Sequence, residues 1–248
     1  TIISHTVINT LFRTELAPGT NYAQRHMTQL DKAVEVDVIR AELEEKQFRV
    51  NLTIVDTPGF GDSIDNEYMF NEILGFIERQ YDDILSEESR IRRNPRFRDN
   101  RVHALVYFIA PTGHSLREMD IEFMRRLSPR VNVIPVIGKS DTMTPSELLD
   151  FRKRVMEDIE YYGIPIYNFP YDAEEDHPDT IAENSELRSL LPFAIVGSNN
   201  LVKTPDGRIV RGRAYPWGVI EVDNENHCDF VKLRQMLIRS NMEDLREL

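Results

Sequence analysis

The 248-residue chain holds one cysteine, Cys228, and one tryptophan, Trp217, and has no glycine before Gly19. A single thiol excludes an intramolecular disulfide framework and suits a reducing compartment. No apolar run reaches the roughly 18–20 residues that a membrane-spanning helix needs, and no secretory n-region or h-region stands at the start. Basic charge is also short, with 30 Lys and Arg against 42 Asp and Glu and a net charge of −12. A general nucleic-acid binder needs basic surface to replace counterions, so the balance argues against that class. The sequence contains no His-Glu-x-x-His or Gly-x-Ser-x-Gly pattern, and His227-Cys228 is an isolated pair rather than a metal-spaced set. What remains is ordinary globular material. The apolar share is 41%, enough at this length for one domain with a full core.

Charge is unevenly spread. Residues 89–101 carry six arginines, at positions 90, 92, 93, 96, 98 and 101, whereas 172–186 is acidic. Two solvated loops account for this, as does a pair of complementary patches on neighbouring subunits.

Hydrophobic periodicity organises the rest. Residues 6–14 read as a helix, followed by a polar loop through Pro18-Gly19. Segments 33–43 and 48–56 read as strands of a hairpin, and 67–88 as a helix with apolar residues every three or four positions. The runs HALVYFIA (103–110) and VNVIPVIG (131–138) are nearly continuous and apolar, which suits buried parallel strands around a helix at 116–127. Thr144-Pro145-Ser146-Glu147 is a capping box with proline at the first helical position, and Gly163 ends that helix. Strands are expected at 164–170, 192–199 and 218–223, a hairpin at 201–210, and a closing helix at 227–240. The alternation predicts a doubly wound α/β domain with β-rich additions near its end.

Two motifs sit where such folds bind ligands, at the carboxyl ends of strands. Asp56-Thr57-Pro58-Gly59 follows LTIV. Its carboxylate is placed to hold Mg²⁺ through water, and Gly59 can bring a backbone N–H against a γ-phosphate. All four residues also suit a plain turn. Gly138-Lys139-Ser140-Asp141 follows NVIPVI. In guanine-nucleotide folds the Asp of such a stretch accepts from the N1–H and 2-amino group of guanine, a donor pair that adenine lacks. Near the end, RGRAYPWG (211–218) offers Arg213 for stacking on a base, and Trp217 as a core residue or an interface anchor.

Together DTPGFGD (56–62), YFIAPTGHSL (107–116), GKSD (138–141), PFAIVGSN (192–199) and RGRAYPWGVIEVDNENHCDFVKLR (211–234) resemble the septins, filament-forming GTP-binding proteins. The resemblance covers essentially the whole chain, and the RGRxYPWG segment is specific to septins. It implies a P-loop-NTPase-like (Ras-like) fold, a doubly wound, mostly parallel sheet with helices on both faces. It further implies a single G domain over 1–248, with a core over about 1–200, a β-rich addition and closing helix over about 201–248, and a C-terminal tail lying outside the chain.

Carried over residue by residue, Thr6, Asp56, Gly59, Lys139, Asp141, Gly197 and Arg213 correspond to the nucleotide-binding set, with Asp56 toward Mg²⁺. Thr142, Glu147 and Trp217 correspond to the interface across which septins pair; for Glu147 the capping box is a competing role. GTP or GDP is the implied ligand. Other septin subunits are the implied partners, in a hetero-oligomer or a homodimer through the G interface, with a membrane reached through segments outside this chain. The cytoplasmic cytoskeleton or cell cortex at a division site is the implied location. GKSD, where most septins have AKAD, resembles the divergent fungal subunit found at rod ends.

Two departures stand against this pattern. Where the phosphate loop G-x-x-x-x-G-K-[S/T] aligns, Ser4 takes the place of the lysine and His5 that of the Mg²⁺-binding Ser/Thr, while Thr6 matches the next residue. The switch threonine used for hydrolysis aligns with Ala33, which predicts slow hydrolysis at most. If Ser4 truly replaces the lysine, the phosphate site has decayed. If residues 1–3 are instead the tail of the first strand, a glycine-rich loop is missing between them and Val7.

Overall fold

The computed structural model describes residues 2–12, 37–45, 48–57, 67–92, 94 and 97–247. Gly59, Ala33, Arg93, Arg96 and the Pro18-Gly19 loop lie outside the described residues. Contacts divide the chain into two units, one spanning 18–103 and the other 2–17 with 104–248.

In the first unit, β1 (Asp37–Glu45) and β2 (Phe48–Asp56) form an antiparallel ladder from Asp37↔Asp56 to Glu45↔Phe48. The register sets Ile39 opposite Ile54, Ala41 opposite Leu52 and Leu43 opposite Val50. One face is therefore apolar, while Arg40, Glu42, Asn51 and Thr53 are exposed on the other. Helix α2 (Glu67–Glu88) buries Met69, Phe70, Ile73 and Ile77, a stripe at helical spacing. Beyond it, Arg90 pairs with Glu87 and Arg101 grips Asp99, whose carboxyl that contact holds well below the usual carboxylate range. Arg92 and Arg98 are exposed.

The second unit is built on a parallel sheet in the order β3 (Ala104–Ile109), β4 (Asn132–Ile137), β5 (Phe193–Ala194). Central β4 reads NVIPVI because both its faces are covered; Val133, Ile134, Val136 and Ile137 are at most 1% exposed. The connections are α3 (Glu118–Leu127), α4 (Pro145–Tyr161) and α5 (Pro178–Ser189). Val7 of α1 (Ile2–Phe12) joins Phe169, Phe193, Ile195, Phe230 and Leu233 in one core. An antiparallel meander follows, β6 (Leu201–Lys203), β7 (Ile209–Tyr215) and β8 (Gly218–Glu221). Of the three sheets described, one is parallel and two are antiparallel, so the expected mostly parallel arrangement holds for the β3–β5 sheet alone.

The structure corrects several expected elements. Helix α1 begins at Ile2 rather than at residue 6, so Ile2 and Ile3 are helical in backbone and do not end a strand. Segment 164–170 is no strand. Pro165 and Pro170 lack an N–H for a ladder, Phe169 adopts φ 43°, and one bond, from Tyr167 N–H to the Val133 carbonyl, ties the segment to β4. The strand at 192–199 shrinks to Phe193–Ala194. The acidic stretch is not all loop, because His177 caps α5 and Pro178 opens it. The closing helix starts late, since the N–H groups of His227 and Cys228 both turn back to the Asn224 carbonyl. It then divides into α6 (Phe230–Gln235), a π turn (Met236–Ser240) and α7 (Met242–Arg246).

The meander depends on one close approach. A Cβ at Gly212 would stand 2.1 Å from the Ile220 carbonyl oxygen, which is backbone of the paired strand and has nowhere to yield. Gly212→Ala is expected to lower stability by about 3 kcal/mol, at the upper end of overpacking costs. Chemical denaturation of the variant checks this.

Candidate functional site

The β4 chain leaves the sheet at Ile137 and turns at once. Gly138 N–H donates to the Ile109 carbonyl at 3.1 Å, and Lys139 takes the left-handed conformation at φ 52°. Ser140–Thr142 then form one 3₁₀ turn, fastened to the segment after β5 by the Ser140 N–H donating to the Ile195 carbonyl at 3.2 Å. Two loops at the carboxyl edge of the parallel sheet are thus tied side by side, one carrying Asp141 and the other Gly197.

Strand β7 delivers the third part. Arg213 Nη1 donates to Asp141 Oδ2 at 3.0 Å, while Nε and Nη2 both donate to the Gly197 carbonyl, at 3.1 and 2.8 Å. Tyr215, two residues on and so on the same face of β7, donates its hydroxyl to Asp141 Oδ2 as well. The Asp141 side chain is 0% exposed and Arg213's 29%. The bond to Asp141, with burial adding to it, pushes the Tyr215 hydroxyl above its ordinary ionisation range.

Beside these residues lies an open cleft of about 570 Å³, lined in part by Thr6, Gly197, Asn200, Gly212, Arg213 and Tyr215, a size ordinary for small-molecule sites. Gly197 also lets α1 come close, since a Cβ there would meet the methyls of Val7 at 3.2 Å and Thr6 at 3.3 Å.

The structure therefore brings Thr6, Gly197 and Arg213 around one cleft, with Asp141 behind them, bonded to Arg213 and Tyr215, and Lys139 stands two residues before Asp141. Arg213 lies edge-on to Asp141 and Gly197, in the plane of hydrogen bonding. Asp56 is buried at the end of β2, in the other unit. The backbone of Ser4 and His5 is helical, and their side chains lie outside the described residues. Glu147 closes the capping box, its Oε2 accepting from the Thr144 N–H and hydroxyl at 2.8 Å each. The Thr144 N–H bond is the main reason its carboxyl ionises below the ordinary range. Thr142 is exposed and donates its hydroxyl to the Lys139 carbonyl.

Trp217 is no core residue. It is 72% exposed and stacked on Tyr215, with centroids 4.4 Å apart and rings 7° from parallel. Sequence reasoning missed Tyr215. Its i, i+2 spacing from Arg213 on a strand was the available signal. His227-Cys228 serves structure, His227 Nδ1 accepting from the Glu221 N–H and Cys228 Sγ meeting the Val222 carbonyl.

A carboxylate held beside a backbone carbonyl, with a planar guanidinium between them, suits an edge carrying adjacent N–H donors. Among the described residues no group of three or more His, Cys, Asp or Glu could hold a metal ion. Among the described residues no helix is long and apolar enough to cross a membrane.

The fold is mixed α/β around a parallel sheet, and its structural match places it in the P-loop class. The Septin family profile matches residues 3–248, and the chain belongs to the septin family. It is 57% identical to the septin homolog spn3 of Schizosaccharomyces pombe over 200 residues, 81% of this chain and 53% of that protein. It is 48% identical to Cell division control protein 11 of Saccharomyces cerevisiae over 220 residues, 88% of this chain and 53% of that protein. Among solved structures, the septin GTPase domain from Chlamydomonas reinhardtii superposes with a TM-score of 0.70 at 25% identity, covering 99% of this chain and 90% of that one. The chain spans just over half the length of the curated relatives it matches.

Proposed function

We infer that this chain is the G domain of a septin subunit of the fungal kind, which binds GTP or GDP and assembles with other septins into hetero-oligomeric rods and filaments. The observation that carries the reading is the shielded Asp141 carboxylate, bridged through Arg213 to the Gly197 carbonyl, with Arg213 and Gly197 lining the cleft. Guanine supplies the donors that this carboxylate accepts. Lys139 lies along the base, and Gly197 offers its backbone. Hydrolysis is slow at most, with Ala33 where a switch threonine would act. Asp56 and Gly59 serve Mg²⁺ and the γ-phosphate. Thr142, Glu147 and Trp217 face a neighbouring subunit, and the exposed Trp217 ring is suited to that role. Work at the cell cortex during cytokinesis follows from such filaments.

A second reading is favoured by one observation. The α1 backbone is helical from Ile2, with Ser4 and His5 where a lysine and a Mg²⁺-binding hydroxyl would stand. On that reading the chain is a nucleotide-free pseudo-GTPase that holds filaments by protein contacts. Denaturing the purified full-length protein and chromatographing what it releases separates the two. Near-stoichiometric GDP or GTP supports the first; a protein that releases none and takes up none overturns it.

A further inference from the structure

The carboxylate that would read guanine is already engaged by its own chain. Asp141 Oδ2 accepts from both Arg213 and Tyr215, and Arg213 Nη1 also lies 3.4 Å from Oδ1. A guanidinium edge and the N1–H/2-amino edge of guanine are the same kind of donor fork, so the two compete for one acceptor. The far side of the same guanidinium holds the Gly197 carbonyl, so Arg213 spans the gap between the two loops expected to grip the base. For Arg213 to stack on a base it must first leave this plane.

Tyr215 adds a second hold and a way out. Its hydroxyl is on Asp141, and its ring lies flat against Trp217, whose own side chain is exposed. One side chain therefore touches both the buried carboxylate and the surface tryptophan.

We propose that Tyr215 and Arg213 form a latch on the Asp141 carboxylate, which guanine must displace to bind, and that Tyr215 transmits the displacement to Trp217. This rests on guanine being the ligand of Asp141. A latch lowers apparent affinity by the fraction of time it is closed, and it acts on association. Tyr215 is thus a positioning residue that sets how readily the site opens.

Trp217 is the single tryptophan among these residues, and its emission gives a direct readout. The test compares the purified protein with its Tyr215→Phe variant, which keeps the ring and loses the hydroxyl. Binding of N-methylanthraniloyl-GDP is followed by stopped flow, and Trp217 by acrylamide quenching. Losing a hydrogen bond to a charged acceptor should raise the association rate constant about three- to tenfold and change dissociation less than about twofold. GDP should alter Trp217 quenching in the parent and have little effect in the variant.

Binding by both proteins with equal association rates, or slower association in the variant, overturns the latch and leaves guanine binding standing. Equal GDP-induced quenching changes in both proteins overturn the link to Trp217. No binding by either protein overturns guanine recognition and the latch with it. Binding by the variant alone supports a latch closed nearly all the time.

Discussion

Asp141→Asn is expected to lower GDP affinity about a thousandfold or more and to turn preference toward xanthine nucleotides. Guanine presents two donors side by side, at N1 and the 2-amino group, and a carboxylate accepts both. An amide of the same shape offers one acceptor and one donor, so its NH₂ faces the 2-amino group and neither is satisfied. Sites built around a buried hydrogen bond reject the mismatched partner by 10⁴–10⁵ when water is excluded; the half-open cleft here reduces that figure. Xanthine carries a carbonyl where guanine has its amine, and that carbonyl accepts from the amide. Titration with labelled GDP and XDP measures both arms. A variant that binds GDP as tightly as the parent would remove Asp141 from base recognition. Thermal unfolding should be run alongside, because the substitution also takes the ion-pair partner from Arg213, and a partly buried cation without its partner is destabilising.

The second large effect is alkaline unfolding, starting near pH 10. Tyr107 is 5% exposed and donates its hydroxyl to Asp120 Oδ1 at 2.6 Å. Burial first, and then the Asp120 charge, push its ionisation far above the usual value. Burial likewise pushes Tyr167 up to about 12. An unfolded tyrosine ionises near 10. Between these values the folded chain keeps protons that the unfolded chain releases, so stability falls as pH rises. Each tyrosine costs about 1.4 kcal/mol per pH unit over that window, and the two together cost about 5 kcal/mol by pH 12. That is comparable with the whole stability of an ordinary domain. Exposed tyrosines ionise first, and the remaining tyrosinate absorbance should appear together with the loss of circular dichroism between about pH 11 and 12. Tyr107→Phe should halve the slope and move the midpoint upward, since Asp120 keeps its bonds from Arg117. Ionisation of all nine tyrosines near pH 10 while the fold persists would show that neither hydroxyl is buried.

How far the sequence reached can be judged from individual elements. Helix α2 was read at 67–88 and β2 at 48–56, with the same bounds in the structure. Both carry strong periodic patterns that no other conformation would bury as well. The α4 capping box is a local rule acting within four residues, and Thr144 and Glu147 obey it. The turn at Pro205-Asp206-Gly207 needed a left-handed glycine, and Gly207 stands at φ 84°. The segment at 164–170 misled because its apolar residues are buried without joining a ladder, and a periodicity cannot tell one from the other. Helix α5 was hidden by its acidic composition, though His177-Pro178 marked its start.

For the site, the residue types and their positions at strand ends were legible, since Asp141 after a buried run and Arg213 in RGRAYPWG depend on local sequence alone. The sequence by itself determined which strands would be buried, where the helices cap, the family, and which residues have the chemistry to read a base. Only the tertiary structure decided that Asp141, Gly197, Arg213 and Tyr215 meet, that Arg213 pairs in the plane of the carboxylate, and that Trp217 lies on the surface rather than in the core. The physical reason is separation along the chain. Asp141 and Tyr215 stand 74 residues apart, and no local preference encodes a contact that exists only once β5 and the β6–β8 meander have packed beside β4.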